Sequence, residues 1–263
     1  MTLEAILEVT RARVTALKRR ATDLEKAALA APAPRAFLSQ GESRGLSIGV
    51  LAEIKRRSPS QGAIRPDLDP VACATGYARG GASGISVLTE ERHFGGSLED
   101  LAAVAGAVQI PVLRKDFIVD ELQLLEALAA GASAVLLIAR VLPPARLAAL
   151  ARFAGALRLG TLIEVHTETE LEPALAAGGT AVGVNARDLD TLAMDPAGAE
   201  RLLATIPGDV VTVAESGIAS RADVERVASA GADYVLVGTS VARQPDPEAA
   251  VRALCGVKRK ERD

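Results

Sequence analysis

Five charged residues sit at the ends of runs that are otherwise mostly apolar: Glu53 and Lys55 in VLAEIK, Lys115 in PVLRK, Glu164 in TLIE and Glu215 in VVTVAE. Burying a charge costs several kcal/mol unless it is paired, so three acids and two lysines on such segments must neutralise one another or meet a charged ligand. A structural ion-pair network is one outcome; five such groups on four separate segments point instead to a site of perturbed acids and bases. Two further segments, Ser216-Gly217-Ile218 and Gly238-Thr239-Ser240, offer backbone N–H groups near a short helix start, where a phosphate can bind without help from net charge. After Lys55, the stretch Arg56-Arg57-Ser58-Pro59-Ser60-Gln61-Gly62 is too long for a tight turn and reads as a mobile lid, with a solvated basic loop as the alternative.

One repeating grammar positions these residues. From Ile48 onward a short, often β-branched apolar run is followed by a loop with Gly, Ser or Asp and then by an Ala/Leu-rich helical stretch. Eight rounds are read, with strands at 50–55, 85–89, 111–115, 134–139, 161–164, 181–185, 210–215 and 234–237. Helices are expected near 70–79, 98–107, 120–130, 144–156, 169–177, 196–206, 221–230 and 247–254. Gly80-Gly81, Gly131-Ala132, Gly178-Gly179 and Gly231-Ala232 follow four of them, as a left-handed C-terminal cap requires.

Alternating strands and helices imply parallel strands with right-handed crossovers, and eight in succession predict a closed α/β (β/α)8 TIM barrel. An open doubly wound sheet is the alternative; no strand here is followed by the Gly-x-Gly-x-x-Gly turn of a dinucleotide fold. In a barrel all five charges lie at the carboxyl ends of strands, the end that carries active sites. Side-chain alternation turns Glu53 and Lys55 inward together if Ile54 faces the helices.

The first 45 residues have another texture. Ile6, Val9, Val14 and Leu17 mark one helix face, Thr22 and Glu25 have capping-box spacing for a second helix, and Pro32 and Pro34 end it before a third turn at 35–39. The expected division is a helical N-terminal extension packed on the barrel over 1–45, the barrel over 46–257, and a frayed basic tail over 258–263.

The 263 residues are 49% hydrophobic and 24% charged with a net charge of −3, which excludes wholesale disorder and leaves no global field for nucleic acid or an anionic membrane. Aromatics at 2% and no Trp argue against base-stacking platforms and aromatic sugar clefts. The N-terminal stretch MTLEAILEVTRARVTALKRR carries acids early, bases late and no apolar run long enough for a signal peptide or a membrane span, so a cytoplasmic location is expected. Cys73 and Cys255 read as buried thiols, and His93 and His166 are too few for a three-His zinc site. His93 reads as a surface residue and His166 as a loop residue, the alternative for His166 being that it adjusts the pKa of Glu164.

Ala52-Glu53-Ile54-Lys55-Arg56-Arg57-Ser58-Pro59-Ser60, Val87-Leu88-Thr89-Glu90 with Phe94-Gly95-Gly96-Ser97, and Leu113-Arg114-Lys115-Asp116-Phe117-Ile118 are three specific motifs. Glu164, Asn185-Ala186-Arg187-Asp188-Leu189, Ala214-Glu215-Ser216-Gly217-Ile218 and Val237-Gly238-Thr239-Ser240 extend them. In all of these, over nearly the whole chain, the sequence resembles the indole-3-glycerol phosphate synthase family of the tryptophan pathway. Ala186 and Thr239 depart from the family's usual polar residue and Ser.

The resemblance implies conversion of 1-(2-carboxyphenylamino)-1-deoxyribulose 5-phosphate to indole-3-glycerol phosphate with loss of CO2 and water. It implies Lys115 as general acid for ring closure, Lys55 as carboxylate binder and a candidate for the second acid, and Glu164 as base, and leaves open which group acts in dehydration. Glu53 and Glu215 would hold the lysines and ligand hydroxyls, Asn185 and Arg187 would orient substrate, and Phe94 and Phe117 would contact it. Ser58, Ser216, Gly217, Gly238 and Thr239 would hold phosphate. No metal and no organic cofactor is expected, because CO2 leaves from a cationic intermediate that is its own electron sink. The partner is a small phosphorylated substrate, with neither nucleic acid nor membrane, and a monomer suffices. A sugar-phosphate isomerase barrel would resemble one with Cys at the end of its first strand, where this chain has Lys55. A Schiff-base aldolase using Lys115 or Lys55 and a catalytically silent phosphate-binding or assembly protein are the other rivals.

Overall fold

The computed structural model describes residues 2–38 and 46–262 of the chain. Two helices, α1 (Leu3–Lys18) and α2 (Ala21–Ala30), precede β1 (Gly49–Ile54). A small antiparallel hairpin, β2 (Arg57–Ser58) with β3 (Gly62–Ala63), then leads to α3 (Pro70–Arg79) and β4 (Gly84–Leu88). Next come α4 (Glu91–Phe94), α5 (Leu98–Ala107), β5 (Val112–Lys115), α6 (Glu121–Ala129), β6 (Ala134–Ile138), α7 (Pro144–Ala156) and β7 (Gly160–Val165). The chain continues through α8 (Glu168–Ala176), β8 (Ala181–Asn185), α9 (Pro196–Thr205), β9 (Thr212–Glu215), α10 (Arg221–Ala230) and β10 (Tyr234–Val237), and α11 (Thr239–Ala242) and α12 (Pro247–Arg252) follow. The strands pair in parallel in the order β1-β10-β9-β8-β7-β6-β5-β4, and β4 returns to β1, so the sheet closes as the strand and helix pattern predicts.

Alternation along each strand sorts side chains into two cores. Val50, Ala52, Ile54, Val135 and Ile163 face the helices, while Leu51, Leu113, Leu136, Leu162, Val213 and Leu236 fill the interior. Glu53, Lys115, Glu164 and Glu215 each lie two residues beyond one of these interior residues, roughly 6.6 Å further along the strand. The barrel thus supplies an aliphatic floor, and the charges stand one layer above it. Gly81, Gly131, Gly178 and Gly231 all have positive φ, so the four Gly signals are helix ends in fact.

The extension packs on the barrel by more than one means. Ile6 and Leu7 of α1 join the interior cluster with Phe117, while Arg13 reaches Asp116 at 3.1 Å and Glu126 at 2.9 Å. Arg114, fully buried, pairs with the same two acids at 2.9 and 2.8 Å. The buried face of α1 is Ile6, Leu7, Thr10, Val14 and Leu17, with Val9 half-buried.

The extension, the tail and one cysteine differ from the sequence reading. Only Arg19 and Arg20 separate α1 from α2, so Thr22 lies inside α2 and no side chain caps its start. No helix forms over 32–38, and the rest of that expected turn and the boundary at residue 45 lie outside the described residues. The tail is docked, not frayed: Lys258 bridges to Ser47, the Arg259 amide donates to the Leu46 carbonyl at 2.9 Å, and both Arg259 and Arg262 pair with Asp233. Cys73 is buried, but Cys255 is only half-buried; burial raises the pKa of both thiols.

Candidate active site

The carboxyl ends of β1, β5, β7 and β9 bring the five charges together. Glu53 is buried and pairs with Lys55 Nζ at 2.9 Å. Lys115 Nζ lies 3.2 Å from Glu164 Oε2 and 3.4 Å from Glu215 Oε2. Asn185, at the end of β8, donates its side-chain amide to Glu164 and accepts the Arg187 backbone N–H at 3.0 Å.

Three acids around one ammonium cannot all behave alike. Burial works against the charged form of Glu164, yet Lys115, His166 and the Asn185 hydrogen bond together hold its pKa below the usual carboxylate range. Burial and the neighbouring Glu164 and Glu53 push Glu215 up to about 8, against the attraction of Lys115. Burial would lower the Lys115 pKa, but Glu164, Glu215 and Glu53 raise it well above that of a free lysine. Around the Lys115 ammonium the surroundings thus favour the ionised form of Glu164 and the neutral form of Glu215, within a few ångströms of each other. Titratable pairs driven apart in this way are how an acid and a base are made from like groups.

The cleft above these groups has two ends. Leu88, Phe94, Phe117, Ile138, Leu189 and Leu192 line the apolar end, together with Leu3 and Ile6 of α1. Phe94 and Phe117 meet with ring centroids 6.4 Å apart at 41°. The polar end is lined by Gly217, Gly238, Thr239, Ser240 and Arg243. Glu53, Lys55, Ser58, Lys115, Asn185, Arg187 and Ser216 face both ends. The apolar half encloses roughly 820 Å³ of atom-free space, the size of a small-molecule site. Every site residue named from the sequence lines one end or the other.

The loop after β1 is more ordered than a solvated basic stretch. Arg56 forms an ion pair with Asp100 and donates to the Gly95 carbonyl at 3.3 Å, the Ile64 and Arg65 amides donate to the Arg56 carbonyl, and Arg243 donates to Gln61 at 2.7 Å. The β2–β3 hairpin is tied to both sides of the mouth, and its own Ser58 is buried.

Two glycines lie hard against the acids of the site. A Cβ on Gly183 of β8 would lie 2.2 Å from Glu215 Oε1, and one on Gly238 would lie 2.5 Å from Glu53 Oε1. Gly238 has φ −121°, so close approach, not dihedral, requires glycine there. Positive φ falls on Ser216 and Gly217 in the other loop. Gly183 was not anticipated as a site residue; its signal was a glycine inside an apolar strand.

His166 lies in the bend between β7 and α8, as expected of a loop residue, and beside Glu164; His93 departs from expectation. His93 is half-buried, with Nδ1 3.0 Å from Glu90 Oε1. His166 is buried between Glu164 and Glu170, its side chain 4% exposed. Among the described residues no group of three or more His, Cys, Asp and Glu side chains is arranged to hold a metal ion, and no helix is long and apolar enough to cross a membrane.

Comparison with known proteins agrees with this geometry. The family model described as indole-3-glycerol phosphate synthase matches residues 3–254. The indole-3-glycerol phosphate synthase of Micrococcus luteus is 49% identical over 245 residues, covering 90% of this chain and 91% of the relative. That of Mycobacterium ulcerans is 46% identical over 254 residues, covering 96% and 93%. Among solved structures, thiamine phosphate pyrophosphorylase from Pyrococcus furiosus superimposes with a TM-score of 0.60 at 17% identity, over 79% of this chain and 93% of that one. 3-Hexulose-6-phosphate synthase from Salmonella typhimurium gives 0.59 at 17% identity, over 79% and 96%. Likeness at that identity concerns the fold alone.

Proposed function

We infer that this chain, which belongs to the indole-3-glycerol phosphate synthase family, carries out the reaction of that family at the mouth of its barrel. It is a decarboxylating, ring-closing carbon–carbon lyase of tryptophan biosynthesis, converting 1-(2-carboxyphenylamino)-1-deoxyribulose 5-phosphate to indole-3-glycerol phosphate, CO2 and water. The observation that carries the assignment of roles is the cleft with an apolar end, a polar end, and acids and bases shared between them.

In this reading the carboxyphenyl ring lies against Phe94 and Phe117, and the phosphate lies at Ser216, Gly217, Gly238 and Thr239 with Ser58 from the hairpin. The ribulose carbonyl then falls between, over Lys115. As the aromatic carbon attacks that carbonyl, Lys115 Nζ donates a proton to its oxygen and stabilises the developing alkoxide. Lys55, held by Glu53, binds the carboxylate until CO2 departs from the cationic ring-closed species. Loss of CO2 restores the benzene ring; the hydroxyl then leaves as water, with Lys55 positioned to supply the proton, and Glu164 takes the last proton to complete the indole. Two protons are given and one is taken, so one is drawn from solvent per turnover, which matches the replacement of a carboxylate by neutral CO2. Neutral Glu215 donates a hydrogen bond to Glu164 and keeps it beside Lys115, and Asn185 and Arg187 orient the ribulose chain.

The reading includes a cytoplasmic enzyme acting as a monomer. Its test is turnover of the purified chain, without added metal, followed by fluorescence of the indole product. Indole formation that survives dialysis against EDTA is expected, since the substrate supplies its own electron sink. Activity lost to EDTA and restored by zinc or magnesium contradicts it.

A further inference from the structure

We propose that His166 is a positioning residue for Glu164, its imidazole holding one carboxylate oxygen so that the other stays directed at Lys115 and the substrate. This rests on Glu164 being the base. Nε2 of His166 lies 3.4 Å from Glu164 Oε1, on the side of the carboxylate away from the Oε2 that meets Lys115. Nδ1 lies 3.4 Å from Glu170 Oε2, and the His166 backbone N–H donates to that same oxygen at 2.6 Å. Both ring nitrogens are buried and make no well-aligned hydrogen bond, so the two carboxylates are their near neighbours, each just beyond a strong hydrogen bond.

The ring is braced from outside the site. Glu170, in the first turn of α8, is held by Arg140 at 2.9 Å, and Arg140 also pairs with Asp188 at 2.7 Å in the loop after β8. A continuous chain of contacts therefore runs from Asp188 through Arg140, Glu170 and His166 to Glu164. The other groups facing Glu164 are Lys115 from β5, Asn185 from β8 and Glu215 from β9. Of these, Lys115 and Glu215 change during turnover or with pH, whereas His166 keeps its contact with Glu164 while Lys115 gives up its proton. Loss of that contact frees the carboxylate to rotate and removes one of the groups that favour its ionised form.

Two variants of matched chemistry and different reach test the proposal. The amide of His166→Gln extends to the position of Nε2, and that of His166→Asn stops short of it. We expect His166→Gln to keep kcat within about threefold of the parent. His166→Asn should lose about tenfold or more in kcat with KM nearly unchanged. It should also move the acid limb of kcat/KM to higher pH, because a carboxylate that has lost a stabilising neighbour ionises later. Glu170→Gln, outside the cleft, removes the outer brace and should lower kcat several-fold at constant KM, so the proposal stays testable if His166→Asn does not fold. Wild-type kcat and an unmoved acid limb in all three variants overturn it. Glu164→Gln in the same assay separates the two levels: if it is inactive while the three variants are normal, only the positioning role fails, and if it is fully active the base itself is misassigned.

Discussion

The barrel buries acids at both of its ends, and the two ends treat them differently. At the amino-terminal end Asp233 is saturated: Oδ2 accepts from the Thr212 amide at 2.9 Å, the Thr212 hydroxyl at 3.1 Å and Arg262 at 2.6 Å, while Oδ1 accepts from Arg259 at 3.0 Å. At the mouth, Glu53, Glu164 and Glu215 share two lysines, and Glu215 keeps one buried oxygen with no hydrogen-bond partner. A saturated acid fixes structure. An acid left with unused capacity, next to like charges, is poised to exchange a proton or accept a ligand, which is the division of labour expected between the two faces of such a barrel.

The sharpest break in that comparison is Lys115→Met, which should lower kcat by roughly 10²- to 10⁴-fold, the range for a positioned general acid, while a phosphate-bearing product analogue still binds within several-fold. A full-rate variant in steady-state kinetics removes Lys115 from the chemistry. Gly238→Val comes next. Its side chain enters the space of Glu53, so both KM and kcat should worsen, whereas Gly217→Ala, in the positive-φ loop away from the acids, should raise KM with kcat little changed. Equal competition by inorganic phosphate against the parent and both variants would remove these loops from phosphate binding.

At the other end, Asp233→Asn should leave kcat untouched and cost about 3 kcal/mol by breaking the ion pairs that the buried Asp233 carboxylate makes with half-buried Arg259 and Arg262, a fall in Tm of roughly 6–12 °C. A kcat that falls in step with stability would show that the two ends are not separate. The smallest effect expected is a gain. The raised pKa of Glu215 contributes stability that is fully present below the ordinary carboxylate value and lost as pH rises through about 8. Glu215→Gln mimics the neutral acid, so its Tm should match the parent near pH 4 and exceed it by a few degrees above pH 8. Parallel Tm curves across that range would mean that Glu215 is ionised throughout.

The mouth was legible in the sequence because charge at the end of an apolar strand is a violation, and violations of local patterning mark sites. Glu53, Lys55, Lys115, Glu164 and Glu215 all announced themselves in this way. The four Gly signals were readable for a related reason, each being a backbone conformation that other residues resist. What escaped were features that depend on partners distant in sequence. The tail reads as a solvated basic run because its acid, Asp233, comes from a different element. His166 reads as a loop residue because Glu170 and Arg140 wrap over it only once α8 and the turn at 139–141 are in place. Gly183, a glycine inside an apolar strand, signals a close approach, but the group that approaches is visible only when Glu215 of the neighbouring strand occupies the space of its missing side chain.

The central claim is that Lys115 and Glu164, 3.2 Å apart, act in sequence on one substrate molecule, the first at ring closure and the second after CO2 has gone. Rapid-quench analysis of a single turnover by Glu164→Gln, alongside Lys115→Met, tests it directly. Lys115→Met should leave the substrate unreacted with no CO2 released, while Glu164→Gln should release CO2 and accumulate a ring-closed species ahead of indole. Unreacted substrate in both variants would place Glu164 in the first step and contradict the division of roles.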